Sequence, residues 1–367
     1  MSDNSGYPQI TANNLIVNNS PHIQSPVTIK SIMWEVNLAL VPVIIMAIYN
    51  FGLRALLIIL LSVLGAVLAE YLIQVFLRKI PTTISDGSAV LTGLLLALCL
   101  PVAIPYWIAF VGGFIAIALG KQVYGGLGQN IFNPAHVARA ILLASWPVYM
   151  NTWLKSGFNT SLTLPTTVPE IDAITTATPL GLLKETAKNP DLLASGQSII
   201  QYIFETLNIN FSDLLLGINF SGSIGETSKL AILIGAFYLL IRKHINLYAP
   251  GAMLATVFVG TYIYSNCNIE YSMFHILTGG LFLGAFFMVT DMVTSPINPL
   301  GKIIFGVGCG AITLLIRLKG GYPEGVCYSI LIMNAFVPLI DKLCKPRRFG
   351  VVKPKPAVVT DSKEASK

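Results

Sequence analysis

Three threonines crowd into the run Asp172-Ala173-Ile174-Thr175-Thr176-Ala177-Thr178-Pro179-Leu180. A proline disfavours helical geometry in the residue before it, so Thr178 is expected on extended backbone. Its hydroxyl then stands open, with only the small Ala177 beside it, where a modifying enzyme could reach it as an acceptor. Read without further information, the same run is a Thr-rich turn of an extracytoplasmic loop.

Four acids fall nearest to long apolar stretches: Glu35, Glu70, Asp86 and Asp291. An ionisable group in hydrocarbon is costly and therefore a candidate for an ion path. All four lie toward the ends of their stretches. For Glu70 the plainer alternative is pairing with Arg78 or Lys79, two turns on, or snorkelling to the interface. Gly125, Gly126 and Gly128 permit a tight turn with bare N–H groups that suits an anion or, equally, close packing. No G-K-S/T follows, so it is not a P-loop. Ser223-Ile224-Gly225-Glu226 has the S-x-x-E form of a capping box, expected to start a helix. The five cysteines and four histidines show no paired spacing. They support neither a zinc site nor a cysteine-ligated iron–sulfur cluster or bis-His haem, so no metal site is expected.

The elements that must position these residues are membrane helices. Of 367 residues, 54% are hydrophobic and 11% charged, against roughly 25% charged in an average soluble domain. The mean hydropathy is +0.71. Runs approaching the roughly 20 apolar residues that cross a bilayer recur along the chain. They are Ile32–Tyr49, Ala55–Leu77, Ala89–Ala103, Tyr106–Leu119, Ala135–Tyr149, Leu230–Ile241, Ile245–Tyr264, Phe274–Val289, Lys302–Ile316 and Val326–Ile340. The expectation is an all-α polytopic membrane protein with about ten transmembrane helices. Several runs are short, as helices broken around a mid-membrane site are.

The polar first residues lack the features of a signal peptide, and the N-terminus is expected to be retained. With ten crossings and that terminus inside, 16 of the 23 basic residues, Arg139 among them, fall on the cytoplasmic side. Both termini are therefore expected there. This asymmetry accounts for the net charge of +6 without a nucleic-acid partner; the expected surroundings are membrane lipid. The organisation is a polar N-terminus (1–30), helices one to five (31–150), an extracytoplasmic loop (151–228), helices six to ten (229–341) and a basic tail (342–367). A loop that long is usually functional or disordered. Its apolar runs Ile199–Ile203 and Leu214–Ile218 suggest a folded excursion. Leu91-Thr92-Gly93 matches Leu277-Thr278-Gly279, and Gly125-Gly126 matches Gly320-Gly321, each pair five spans apart. That offset reverses orientation and suggests two inverted five-helix repeats.

The threonine run resembles the S/T-x-A-T-P-L flavinylation motif of the family containing the D subunit of the Rnf complex and the B subunit of the sodium-pumping NADH:quinone reductase. Further stretches resemble the same family in order: Ser88–Ala97 with Pro101, Lys121–Asn130 followed by Phe132–Ala135, Gly222–Ser228, Phe286–Asp291 and Gly320–Gly325. The length and compact ends look more like the Rnf D subunit.

The resemblance implies a membrane subunit of a translocase that couples electron transfer between ferredoxin and NAD to Na⁺ or H⁺ movement, not active alone. It implies FMN joined to Thr178 through a phosphoester, with Thr175, Ala177 and Pro179 completing the attachment motif. Thr175 stands where the family often has Ser. It also implies a second, non-covalent riboflavin in the bundle, for which the turn of Gly125, Gly126 and Gly128 is a candidate flavin edge site. The implied partners are other membrane and peripheral subunits, among them a second flavinylated subunit and iron–sulfur subunits, and a flavin transferase for maturation. The implied location is a bacterial or archaeal cytoplasmic membrane. Alternatives are a quinone-reductase B-type subunit, a passive channel or transporter, and a membrane anchor without a redox role.

Overall fold

A computed structural model describes residues 27–155, 177–189, 198–218 and 221–345. The described residues are helical and contain no strand beyond an isolated bridge between Lys155 and Ser221.

Helix α1 (Ile29–Ala39) opens with Thr28 Oγ1 accepting from Ser31 N at 3.2 Å, and α2 (Val41–Leu72) runs on into a wider π turn, Ile73–Leu77. These form a 49-residue apolar run that is not one straight rod. Gly52 sits in its middle at φ 68° and ψ −158°, a conformation open to glycine for want of a Cβ. Beyond it the chain doubles back. Trp34 Nε1 donates to Ser85 O at 3.2 Å and Asn37 Nδ2 to Gly87 O at 3.1 Å, so the start of α1 is level with the loop after α2.

There follow α3 (Ser88–Leu98), α4 (Tyr106–Ile117, continued by a π turn Ala118–Gln122), α5 (Pro134–Ser145) and the short α6 (Pro147–Met150). The connecting segment carries α7 (Pro179–Lys188), α8 (Ile199–Leu207) and α9 (Phe211–Leu216). The second half consists of α10 (Lys229–Ile241), α11 (Tyr248–Tyr264), α12 (Ile269–Leu277), α13 (Leu281–Leu283 with a π turn Gly284–Met288), α14 (Pro299–Lys319) and α15 (Val326–Leu343).

Among the described residues, three runs are long and apolar enough to cross a membrane: Ile29–Leu77, α14 and α15. The pair α12 and α13, bent by 68°, makes a fourth if it counts as one span. Three further apolar helices, Ser88–Leu98, Tyr106–Gln122 and Lys229–Ile241, are shorter than these. The run Ala89–Ala103 is helical only to Leu98, so its 11 residues rise about 16 Å, roughly half of the hydrocarbon. The run Ala135–Tyr149 breaks at Trp146, ahead of Pro147.

Breaks free backbone carbonyls that lipid cannot hydrogen-bond, and two buried arginines take them up. Arg54 donates to Val102 O at 2.8 Å and to Ile104 O at 3.0 Å just after α3, its guanidinium 4.7 Å from the Tyr106 ring centre. Arg317 donates to His275 O and, at 3.0 Å, to Thr278 O at the end of α12. A cation at a helix C-terminus is also favoured by the helix dipole.

Outward-facing Ile45, Leu60, Leu64, Phe237, Ile263 and Leu315 are exposed, as a lipid-facing surface requires. Inside, α2 and α4 cross almost backbone to backbone. A Cβ at Gly65 would stand 2.1 Å from Phe110 O, and one at Gly113 would stand 2.0 Å from Ser62 O. Close approach of this kind replaces the hydrophobic drive that lipid does not provide. The connecting helices pack on one end of the bundle: Ile200, Ile203 and Leu214 are buried, and the Phe204 ring lies 4.8 Å from Phe211 and 6.1 Å from Phe274 of α12.

Gly113→Ala should therefore force α2 and α4 apart, at a cost of about 1–3 kcal/mol, and lower the unfolding temperature in detergent. Gly251→Ala, whose Cβ would meet nothing within 4 Å, should leave it unchanged.

Candidate functional site

Thr178 has φ −69° and ψ 152°, the extended geometry its following proline predicts. It is the N-cap of α7, with Pro179 at the first turn and Thr178 Oγ1 accepting from Gly181 N at 3.0 Å. Such a cap satisfies one of the free N–H groups that open a helix. The residue is not in a freely exposed loop, as expected from its Thr-rich surroundings. It is partly buried, because Pro179 and Leu180 pack inward, Ala177 O accepts from Ser221 Oγ at 2.6 Å, and Lys184 Nζ of α7 donates to Tyr322 O at 2.8 Å. Thr175 and Thr176 lie outside the described residues.

Beside Thr178 is a cleft of about 300 Å³ walled by Trp153, Pro179, Leu180, Ser221, Gly279, Pro323 and two carboxylates, Glu226 and Glu324. A second cleft of about 440 Å³ shares Trp153, Pro323 and Glu324 and adds Arg139, Tyr322, Cys327 and Tyr328. Glu324 pairs with Arg139 Nη2 at 2.8 Å and accepts from Gly280 N at 2.7 Å. Glu226 Oε1 accepts from Ser223 N at 3.0 Å, and Lys229 Nζ donates to Glu226 O at 2.5 Å. The Ser223 to Glu226 contact is half of the expected capping box, yet it closes a turn and starts no helix. Helix α10 begins at Lys229, capped by Ser228. The turn is instead held by Ile224 N to Leu100 O at 3.0 Å and Gly225 N to Leu98 O at 2.8 Å. Its role is to anchor Glu226 beneath Thr178. Arg139, counted above with the cytoplasmic charges, lies at this end of the bundle beside Glu324.

At the other end of the bundle lies a larger cavity, about 800 Å³, between α1, α3, α10 and the segments after α4 and α13. Ile32, Val36, Leu91, Leu95 and Phe287 supply apolar wall, and Ser88, Thr92, Lys121, Asn130 and Asp291 supply polar groups. All four acids singled out in the sequence gather around it. Asp291 is in the wall, its Oδ2 accepting from Thr294 Oγ1 at 2.9 Å. Asp86 stands behind Ser88, accepting from its N at 2.7 Å and its Oγ at 2.6 Å. Glu35 binds Arg242 Nε at 2.8 Å and His244, which also lines the cavity.

Glu70 is fully buried and pairs with buried Lys121 at 2.6 Å, not with Arg78 or Lys79. Gln74 and Gln122 each add a bond to Glu70 Oε1 at 3.1 Å. Arg78 turns away to Gln122 Oε1 at 3.1 Å and Gly125 O at 2.7 Å. Burial of both charges is offset by Lys121, Gln74 and Gln122 at Glu70 Oε1, while Oε2 has no hydrogen-bond partner among the described residues.

Gly125, Gly126 and Gly128 have φ of +123°, +108° and +89°. Their turn is spent on itself. Gly125 N donates to Gln122 O and Gly126 N to Lys121 O, at 3.2 and 3.1 Å. The glycines stay outside the cavity wall, which takes Leu127 and Asn130 from this segment.

A sequence model of the NQR2, RnfD, RnfE family matches residues 16–350. The chain belongs to that family. It is 46% identical to the D subunit of the proton-translocating ferredoxin:NAD(+) oxidoreductase complex of Clostridium ljungdahlii, over 93% of this chain and 98% of the other. It is 44% identical to the D subunit of the Na(+)-translocating ferredoxin:NAD(+) oxidoreductase complex of Acetobacterium woodii (93% and 96%). The D subunit of the ion-translocating oxidoreductase complex of Stutzerimonas stutzeri is 40% identical (88% and 92%). These relatives are RnfD-type subunits, and this chain is of the same type.

For this RnfD-type chain, sequence reasoning gave no part in a site to Trp153, Glu226, Glu324, Arg139 or Lys121. The available signal was the basic residues within or just beyond the ends of apolar runs, Arg139, Lys121 and Arg317. Each demands a buried acid or carbonyls, and the acids are few.

Lys121→Met should leave the Glu70 charge stranded and cost about 3–5 kcal/mol, seen as a large fall in unfolding temperature. The double variant Glu70→Gln, Lys121→Met should recover most of that loss.

Proposed function

We propose that this chain is the D subunit of an ion-translocating ferredoxin:NAD oxidoreductase complex and carries FMN esterified to Thr178. The observation that carries the reading is the placement of Thr178 Oγ1 at the N-terminus of α7, where Gly181 N–H points at the oxygen. A phosphoester there would sit at the positive end of a helix dipole. The adjoining clefts suit the rest of the group. Trp153, Tyr322 and Tyr328 offer aromatic faces to a planar ring, and Arg139 offers positive charge. Bound flavin would supply electron transfer, while the chain supplies position and shelter from water. A tether also keeps the cofactor at high local concentration on a side of the membrane where it would otherwise be diluted.

In this reading the chain crosses the cytoplasmic membrane ten times, with Thr178 on the outer face and both termini and the Glu35 end inside. The inverted repeat would relate its two halves. A non-covalent riboflavin would be held at the inner cavity, whose mostly apolar wall carries a few polar groups able to orient a ring. The assembled complex would supply a second flavinylated subunit and iron–sulfur subunits, and a transferase would install the ester. Glu35, Glu70, Asp86 and Asp291 around the inner cavity are the candidates for ion entry.

The test is in-gel flavin fluorescence after denaturation, with the chain produced in membranes together with a flavin transferase. The unmodified sequence should fluoresce, Thr178→Ala should be dark, and Thr178→Ser should keep the signal. Thr175→Ala should reduce attachment and Thr176→Ala should matter less. A dark band for the unmodified chain with an active transferase would overturn the reading.

Flavin extracted without hydrolysis from purified Thr178→Ala should still include riboflavin. Widening Ala135 in the inner cavity wall, as Ala135→Phe, should remove it.

A further inference from the structure

Glu226 is 4% exposed, and its carboxylate shares the wall of the Thr178 cleft with the carboxylate of Glu324. A Cβ at Gly280 would stand 3.5 Å from Glu226 Oε2 and 3.7 Å from Glu324 Oε1, so one backbone position touches both groups. Glu324 is well supplied, with Arg139 on one oxygen and Gly280 N–H on the other. Glu226 Oε1 takes the Ser223 N–H, while its Oε2 has no donor among the described residues. An unsatisfied buried carboxylate oxygen facing a second carboxylate is unstable as two anions. One proton resolves it, bound to Glu226 and donated to Glu324.

We propose that Glu226 and Glu324 share one exchangeable proton at the floor of the Thr178 cleft, a proton-loading site that opens to the Thr178 side of the bundle. The step is the binding of one proton from that side and its release to the same side, with no redox partner. Both carboxylates form part of the cleft wall that Thr178 also lines, and Thr178 is itself partly exposed, so the cleft is the route. If the flavin reading above holds, negative charge arriving at Thr178 would be offset by this proton.

The groups facing the pair come from every surrounding element: Arg139 and His136 on α5, Lys229 on α10, Arg317 on α14, Cys99 after α3, and Cys327 on α15. The guanidinium of Arg317 is committed to the carbonyls of His275 and Thr278, and Lys229 Nζ binds the Glu226 carbonyl. Arg139 reaches Glu324 directly. Burial raises the pKa of Glu226. Burial opposes ionisation of Glu324 too, but Arg139 and the bond from Glu226 outweigh it and lower its pKa. The proton therefore resides on Glu226, and it leaves as the pH rises through the raised value.

Infrared spectroscopy of the purified full chain, made without the transferase, tests this apart from any flavin. At neutral pH a protonated-carboxyl carbonyl band should be present, shift in deuterated buffer, move on ¹³C labelling of glutamate, and disappear in Glu226→Gln. It should titrate away above neutrality. No glutamate-derived band in the unmodified chain, or a band that survives unchanged in folded Glu226→Gln, would overturn the proposal. Absence of the band in the labelled unmodified chain overturns the proposal even if Glu226→Gln fails to fold, and Glu226→Asp should keep a carboxyl band that no longer moves on glutamate labelling; a labelled band unchanged in Glu226→Asp would overturn it as well. Gel fluorescence of Thr178 stands or falls independently of either result.

Discussion

Hydrocarbon cannot solvate a carbonyl, and the architecture of this chain follows from how it meets that constraint where its helices stop short. Each break releases carbonyls into the bundle, and an arginine from a neighbouring helix is placed to receive them: Arg54 at the end of α3, Arg317 at the end of α12. The exchange works in both directions. A guanidinium buried in a membrane protein needs acceptors as much as the broken helix needs donors. Removing either party would strand the other, which ties the long helices α2 and α14 to the half-helices they hold.

The same principle explains why the polar chemistry collects at two ends. Half-length helices leave room, and the room is filled by side chains whose charges are met locally: Lys121 by Glu70 at one end, Arg139 by Glu324 at the other. Between them the bundle is tightly packed, with α2 and α4 brought to contact through Gly65 and Gly113. Two separated polar chambers joined by rigid packing suit a protein that must keep events on its two faces distinct.

Much of this was legible from residue types. Apolar runs located the helices, and the reversal near Gly52 follows from the polar break between the first two runs. Pro179 dictated the backbone of Thr178. What the sequence concealed were pairings between residues far apart in the chain. Arg139 and Glu324 are 185 positions apart, and nothing local marks either as the other's partner. Glu226 was misleading for a specific reason: its S-x-x-E spacing gives a real hydrogen bond to Ser223, but the turn's tie to Leu98 and Leu100 outweighs the helical alternative. For Glu70, sequence proximity pointed to Arg78, whereas the buried position of Lys121 decided the pairing.

Thr178 Oγ1 enters the fold as an acceptor, taking the Gly181 N–H. Esterification replaces the hydrogen of a hydroxyl and leaves an oxygen that still accepts. The cap of α7 therefore does not depend on whether the side chain is free or substituted, and the segment need not be undone for the substitution to occur. On the flavin reading proposed above, biogenesis would gain latitude in timing, because insertion and docking of α7 would not wait for the substitution.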